Sequence, residues 1–157
     1  MPQAPDHASE ALSLNSFLPY RLMILADTVS RVASQIYVDR FDLTRQEWRI
    51  IASLFELGPV SATEIGEHST MDKMTVSRAV TGLEAKGLLR RHDDPADRRN
   101  KILELTQAGR ALYRKIVPLI LAREAYLLEN FSPEERASLA HLLEALLARA
   151  RELEQRG

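Results

Sequence analysis

At three places a serine or threonine stands three positions ahead of a glutamate where an apolar-periodic run opens: Thr44-x-x-Glu47, Ser61-x-x-Glu64 and Ser132-Pro133-x-Glu135. Each is a capping box, in which the hydroxyl takes an orphan amide of the first helical turn and the carboxylate reaches back to the cap, so each marks where a helix must begin. The first two lie close together with Gly58-Pro59 between them. The helix opened at Thr44 therefore spans about 44–57, and the one opened at Ser61 is short, ending near His68. A fourth helix over about 72–86 stops at Gly87, only a few residues beyond the third.

After Leu88 the pattern changes. Leu89 to His92 and Ile102 to Leu105 are short extended segments separated by the turn-rich run Asp93-Asp94-Pro95-Ala96-Asp97, which predicts a β-hairpin with a charged tip. Thr106 can cap a long helix over about 107–129, where Pro118, lacking an amide hydrogen, is expected to bend it. The third box opens a last helix over 132–155 carrying Leu139, Leu142, Leu143, Leu146 and Leu153. Near the start, Leu18, Leu22, Leu25, Val29, Val32 and Ile36 alternate in steps of four and three, an apolar seam along a helix over about 16–39. A helix of that length spans roughly 36 Å, more than the short helices can cover. Intrachain core is the plainer use of such a seam; the whole layout favours pairing with a second copy.

Composition bounds the function. With 157 residues, 45% apolar and 27% charged, the chain suits one globular domain, expected over 15–157. No stretch approaches the roughly 18 uncharged apolar residues of a membrane span, and residues 1–14 read as a disordered tail without the form of a secretion signal, so a cytoplasmic protein is expected. The absence of cysteine excludes disulfides, thiol-based sensing and thiolate metal sites. His7, His68, His92 and His141 have no metal-ligand spacing, and no glycine-rich phosphate loop or nucleophile elbow is present. No metal, cofactor or enzymatic activity is expected.

The net charge of −1 conceals an asymmetry. Residues 72–101 hold eight Lys/Arg (Lys73, Arg78, Lys86, Arg90, Arg91, Arg98, Arg99, Lys101) against five acids (Asp72, Glu84, Asp93, Asp94, Asp97), whereas residues 1–71 hold five against nine. Two helices joined by a tight turn place the second across the first, where its N-terminal part can enter the roughly 12 Å wide major groove of DNA. Residues 61–86 have this form, and the basic hairpin follows. The reading is a mostly α fold with a small β-hairpin wing: a winged helix-turn-helix DNA-binding lobe over about 44–106 plus a helical dimerisation region. On the fourth helix Lys73, Thr75, Val76, Ser77 and Arg78 are expected near the groove, with methyl groups of Thr75, Val76 and Thr70 or Thr81 available to thymine, while Met74, Ala79, Val80 and Leu83 face the core. At the hairpin tip an arginine can enter the narrow minor groove. Asp97 would fix the tip by pairing with one arginine; Arg98 is expected outward and Arg99 held.

The run Asp93-Asp94-Pro95-Ala96-Asp97-Arg98-Arg99, followed by Leu103-x-Leu105-Thr106-x-x-Gly109, resembles the wing of the MarR (multiple antibiotic resistance regulator) repressors, and Leu83-Glu84-x-Lys86-Gly87-Leu88-Leu89-x-Arg91 resembles that family's passage from recognition helix to wing. The likeness extends over about residues 16–153. It implies a triangular homodimer with intertwined N- and C-terminal helices on a pseudo-palindromic double-stranded DNA operator. It also implies DNA contacts from Thr63, Lys73, Thr75, Ser77, Arg78, Arg98 and Arg99, supported by Asp97. Many members are released from DNA by small aromatic or phenolic acids, which implies an effector site near the first two helices, with Tyr20, Arg21, Trp48 and Arg49 as candidates. Trp48 also lies in the apolar period of its helix and reads first as core. The alternative function is a winged-helix protein-interaction module without specific DNA binding.

Overall fold

A computed structural model describes residues 12–157, so residues 1–11 of the expected tail lie outside the described residues. The element order is α1 (Leu18–Phe41), α2 (Arg45–Leu57), β1 (Val60–Ser61), α3 (Ala62–Ser69), α4 (Lys73–Ala85), β2 (Leu89–Asp93), β3 (Lys101–Leu105), α5 (Gln107–Leu128) and α6 (Pro133–Arg156). Two compact units result, the first ending at Tyr113 and the second comprising Arg114–Gly157. No helix among the described residues is long and apolar enough to cross a membrane.

All three capping boxes form. At the first, Thr44 Oγ1 accepts from the Glu47 amide at 3.1 Å and Glu47 Oε2 accepts from the Thr44 amide at 2.9 Å; Ser61 with Glu64 and Ser132 with Glu135 repeat the exchange. Asp72 caps α4, its carboxylate accepting from the Thr75 amide at 2.9 Å. The helix-turn-helix reversal is made at Thr70, a β-branched residue in the left-handed region at φ 52°, where an L side chain is uncommon. Arg49 of α2 secures that strained turn by donating to the Ser69 carbonyl and, at 3.3 Å, to Thr70 Oγ1.

The core of the first unit is built from Leu43, Ile50, Ile51 and Leu54 with Ile65, Val80, Leu83 and Leu103, all fully buried. The hairpin closes antiparallel, with Leu89 opposite Leu105 and Asp93 opposite Lys101. A third strand, absent from the sequence expectation, completes the sheet in the order β1-β3-β2, pairing Val60 with Leu103 and Ser61 with Ile102. Two residues are too few to display an alternating pattern.

The wing is joined to α5 at one tight crossing. Thr106 Oγ1 accepts from the Gly109 amide at 3.1 Å and donates to the Gly87 carbonyl at 2.7 Å, while the Thr106 amide donates to the Leu88 carbonyl at 3.1 Å. A Cβ at position 109 would lie 2.1 Å from the Leu88 carbonyl oxygen, so only glycine admits this approach. Here the Leu-Thr-x-x-Gly spacing read from the sequence acquires its physical cause.

In the second unit α5 continues unbroken through Pro118. Arg136, in the first turn of α6, donates to the carbonyls of Leu128 and Phe131 at 2.6 and 3.0 Å and so ties that turn to the end of α5. No residue of α6 is buried; Leu139, Leu142, Leu143, Leu146, Leu147 and Leu153 are all exposed in the single chain.

Gly109→Ala is expected to destabilise the first unit by about 1–3 kcal/mol, the cost of forcing a close-packed contact apart. Chemical denaturation compared with wild type measures this; an unchanged midpoint would contradict the crossing described.

Candidate nucleic-acid interface

Helix α4 is oriented by its apolar positions. Val76, Ala79, Val80 and Leu83 are buried and recur at i, i+3, i+4 and i+7, one continuous face. This register corrects two sequence expectations. Val76, assigned a thymine contact, is 1% exposed and belongs to the core; Met74, assigned to the core, is 63% exposed. The two are two residues apart, which is about 200° around a helix, so burying one turns the other outward. The exposed residues of the helix are Lys73, Met74, Ser77, Arg78, Thr81 and, at its end, Ala85, with Thr75 half-buried. The Thr75 hydroxyl is committed to Asp72 at 2.7 Å, and that of Thr81 donates to the Ser77 carbonyl at 3.0 Å. Thr63 is exposed on α3.

The eight cations of residues 72–101 divide sharply. Lys86 pairs with Glu47 at 2.8 Å, Arg90 with Glu104 at 2.7 Å, Arg91 with Glu84 at 2.7 Å, Lys101 with Asp93, and Arg99 with Asp97 at 3.6 Å. Lys73, Arg78 and Arg98 have no ion pair or side-chain hydrogen bond among the described residues. The five acids are all engaged within the chain. Asp72 caps α4; Glu84, Asp93 and Asp97 hold cations; Asp94 accepts from the Ala96 amide at 2.9 Å. The negative charge of the segment is therefore spent in shaping it, and the surplus positive charge stands on α4 and the wing tip.

Asp97 organises that tip. Its carboxylate accepts from the Arg99 amide at 3.1 Å and its carbonyl from the Asn100 amide at 2.9 Å. Arg99 approaches Asp97 yet its side chain is 94% exposed, so it is tethered without being covered. At the wing root, Glu104 faces Arg90, Arg110 at 3.8 Å and His92 at 3.7 Å. The Arg90 hydrogen bond, first among these neighbours, lowers the Glu104 carboxyl below its ordinary range, and the Lys101 hydrogen bond lowers Asp93 likewise.

The effector candidates occupy different settings. Trp48 is stacked between Tyr37 and Tyr113, ring centroids 5.7 Å away on each side, and Phe55 extends the column beyond Tyr113. Arg49, next to it, holds the α3–α4 turn. Tyr20 is half-buried and Arg21 exposed. Two clefts flank α4: one of about 470 Å³ bounded by Thr63, Gly66, Val76, Ser77, Arg91 and Leu103, and one of about 280 Å³ bounded by Thr44, Gln46, Glu47, Thr75, Arg78 and Ala79. Neither includes any of the four. Among the described residues no cluster of His, Asp and Glu is placed to hold a metal ion.

A family model described as the MarR family matches residues 43–101, from the α1–α2 junction to the start of β3. The transcriptional regulator PecS of Dickeya dadantii is 30% identical over 132 residues, 77% of this chain and 78% of that protein. The homoprotocatechuate degradative operon repressor of Escherichia coli is 29% identical over 71% of this chain and 75% of its own length. Among solved structures, BpsR of Bordetella bronchiseptica, whose DNA binding is regulated by 6-hydroxynicotinic acid, superposes with a TM-score of 0.78 at 25% identity, covering 86% of this chain and 96% of that one.

The lowered carboxyls of Asp93 and Glu104 set a pH dependence. A carboxylate whose folded pKa lies below its unfolded value contributes stability above the unfolded pKa and loses it as the pH falls through the folded one. Thermal melts of wild type and Glu104→Gln are expected to differ at pH 6, and the gap to narrow as the pH falls below the ordinary carboxylate range. A gap that does not narrow there would contradict the charge-based role of Glu104.

Proposed function

The chain belongs to the MarR family of transcriptional regulators, and within it we propose a homodimeric repressor that reads a pseudo-palindromic operator and is released by a small aromatic or phenolic acid. The observation that carries the DNA-reading part is the partition of charge: Lys73, Arg78 and Arg98 alone among the eight cations of 72–101 have no carboxylate partner among the described residues. DNA can take all three without breaking an internal bond. Ser77 and Arg78 address base edges from α4, Thr63 and Lys73 approach the backbone, and Thr75 acts mainly through its methyl group because its hydroxyl serves Asp72. Arg98 enters the minor groove beside them, with Arg99 tethered by Asp97.

Dimerisation is supported by the apolar side chains that the single chain leaves uncovered. On α1 these include Leu18, Met23, Ile24 and Leu25, and on α6 the leucine series from Leu139 to Leu153. Burial of each such side chain contributes roughly 1.5–3 kcal/mol, so a second copy is the economical cover. Repression follows from occupancy of the operator.

The effector class is supported by two relatives: the repressor of an operon that degrades homoprotocatechuate, and BpsR with its hydroxynicotinic acid. Of the four candidates, Trp48 and Arg49 are the proposed site in this chain; Tyr20 and Arg21 stand on the same helix as Tyr37, which stacks on Trp48, but roughly 25 Å further along it. Both faces of Trp48 are occupied by tyrosines, which makes it a wall for the ligand and not a stacking platform. A ligand carboxylate drawn to Arg49 would compete with the Ser69 carbonyl for its guanidinium. The α3–α4 turn would then lose its clamp, and the population would shift toward arrangements that bind DNA poorly.

Fluorescence anisotropy on DNA from upstream of the protein's own gene, against scrambled DNA, tests the reading. Specific binding should weaken steeply with salt, and a panel of aromatic acids should contain at least one member that releases the DNA. Arg98→Ala is expected to lower affinity several-fold with an unchanged melting temperature, and to flatten the log–log salt slope by roughly one to two units for the two copies in a dimer. Light scattering should give twice the 17.8 kDa chain mass. Equal affinity for scrambled DNA, or a monomer at micromolar concentration, would overturn the proposal.

A further inference from the structure

Met74 is the one large apolar side chain on the outward face of α4. It lies at the second helical position after the Asp72 cap, and at i+3, i+4 and i+7 from it on the same face stand Ser77, Arg78 and Thr81, all exposed. Lys73 precedes it, and neither Lys73 nor Arg78 has a carboxylate partner among the described residues. Single exposed apolar residues are ordinary on protein surfaces; Met74 is set apart by its company, since it is bracketed by the two unpaired cations of the helix.

We infer that Met74 is a specificity determinant of this DNA reader, covering the C5-methyl group of a thymine in each half-site of the operator. The inference rests on the DNA-reading function proposed above and adds to it a base preference. A phosphate held by Lys73 would fix the N-terminal turn of α4 against the duplex, and the N-terminal residues of a recognition helix are those that meet base edges. Of the exposed side chains in that turn, Met74 alone offers no hydrogen bond. In the major groove thymine is distinguished by an oxygen acceptor and a methyl group, and only the methyl is recognised by apolar contact. An unbranched thioether with three rotatable bonds adapts to such a surface without a demanding geometry. Ser77 and Arg78, one turn along, remain free to read the neighbouring pair by hydrogen bonds.

The test separates this inference from the function beneath it. The full-length protein is used to select duplexes from a randomised pool, and each thymine of the best duplex is replaced in both half-sites by deoxyuridine, which removes the methyl and nothing else. At one position wild-type affinity is expected to fall roughly fourfold per half-site, the equivalent of one apolar group returned to water. Met74→Ala should bind the thymine duplex more weakly and be indifferent to uracil at that position, while Met74→Leu keeps the preference. Melting temperatures should match throughout, since the side chain is exposed. If a sequence is selected but no thymine shows this coupling, the Met74 assignment is overturned and the DNA reader stands; if no sequence is selected, both fall.

Discussion

The carboxylate of Glu47 holds the DNA-binding lobe in shape. It is 4% exposed, and an ion so far from water is tolerated only when paired and hydrogen-bonded. One oxygen accepts from the Thr44 amide, closing the box that begins α2, and from Lys86 Nζ at the end of α4. Lys86 also donates to the Asp42 carbonyl, where α1 ends in a left-handed residue. A Cβ on Gly82 would come within 2.3 Å of the same carboxylate, so α4 approaches α2 where glycine stands. Three helices thus converge on one buried charge, and the inclination of α4 is set by its far end before any DNA arrives.

Given that inclination, the electrostatics of the reading face follow by subtraction. Acidic residues are unfavourable near phosphate, yet this segment carries five. Their placement resolves the conflict: one caps the reading helix, three hold cations and one shapes the hairpin turn. The surplus is left on Lys73, Arg78 and Arg98. Net charge over the whole chain carries no trace of this arrangement, because attraction to DNA is governed by local distribution.

Much of this architecture was legible in the sequence, because capping boxes are local and report helix starts directly. All three were found where Thr44, Ser61 and Ser132 predicted them, and the hairpin strands differ from expectation by a residue at the tip. What escaped was what depends on tertiary register. Met74 and Val76 exchanged roles because an apolar residue at a helix start fits either face until the cap and the partner helices fix the rotation. The strand Val60–Ser61 carries no pattern of its own and exists through pairing with β3. Glu47 was legible as a capping-box carboxylate and Arg49 as an effector candidate; only the approach of α3 and α4 makes the first a buried anchor and the second a clamp on the turn. The wing motif was read as a likeness, and the contact of Gly109 with the Leu88 carbonyl supplies its reason.

The central claim, that two α4 helices read one operator while the wing tips flank them, is tested most directly by footprinting the protein on a selected duplex. Guanine-N7 protection reports the major groove and hydroxyl-radical cleavage the minor groove. The account predicts two symmetry-related major-groove protections centred about 34–36 Å apart, each bordered by a protected minor groove that becomes accessible again with Arg98→Ala. A single protected half-site, or uniform protection that is the same on scrambled DNA, would contradict it.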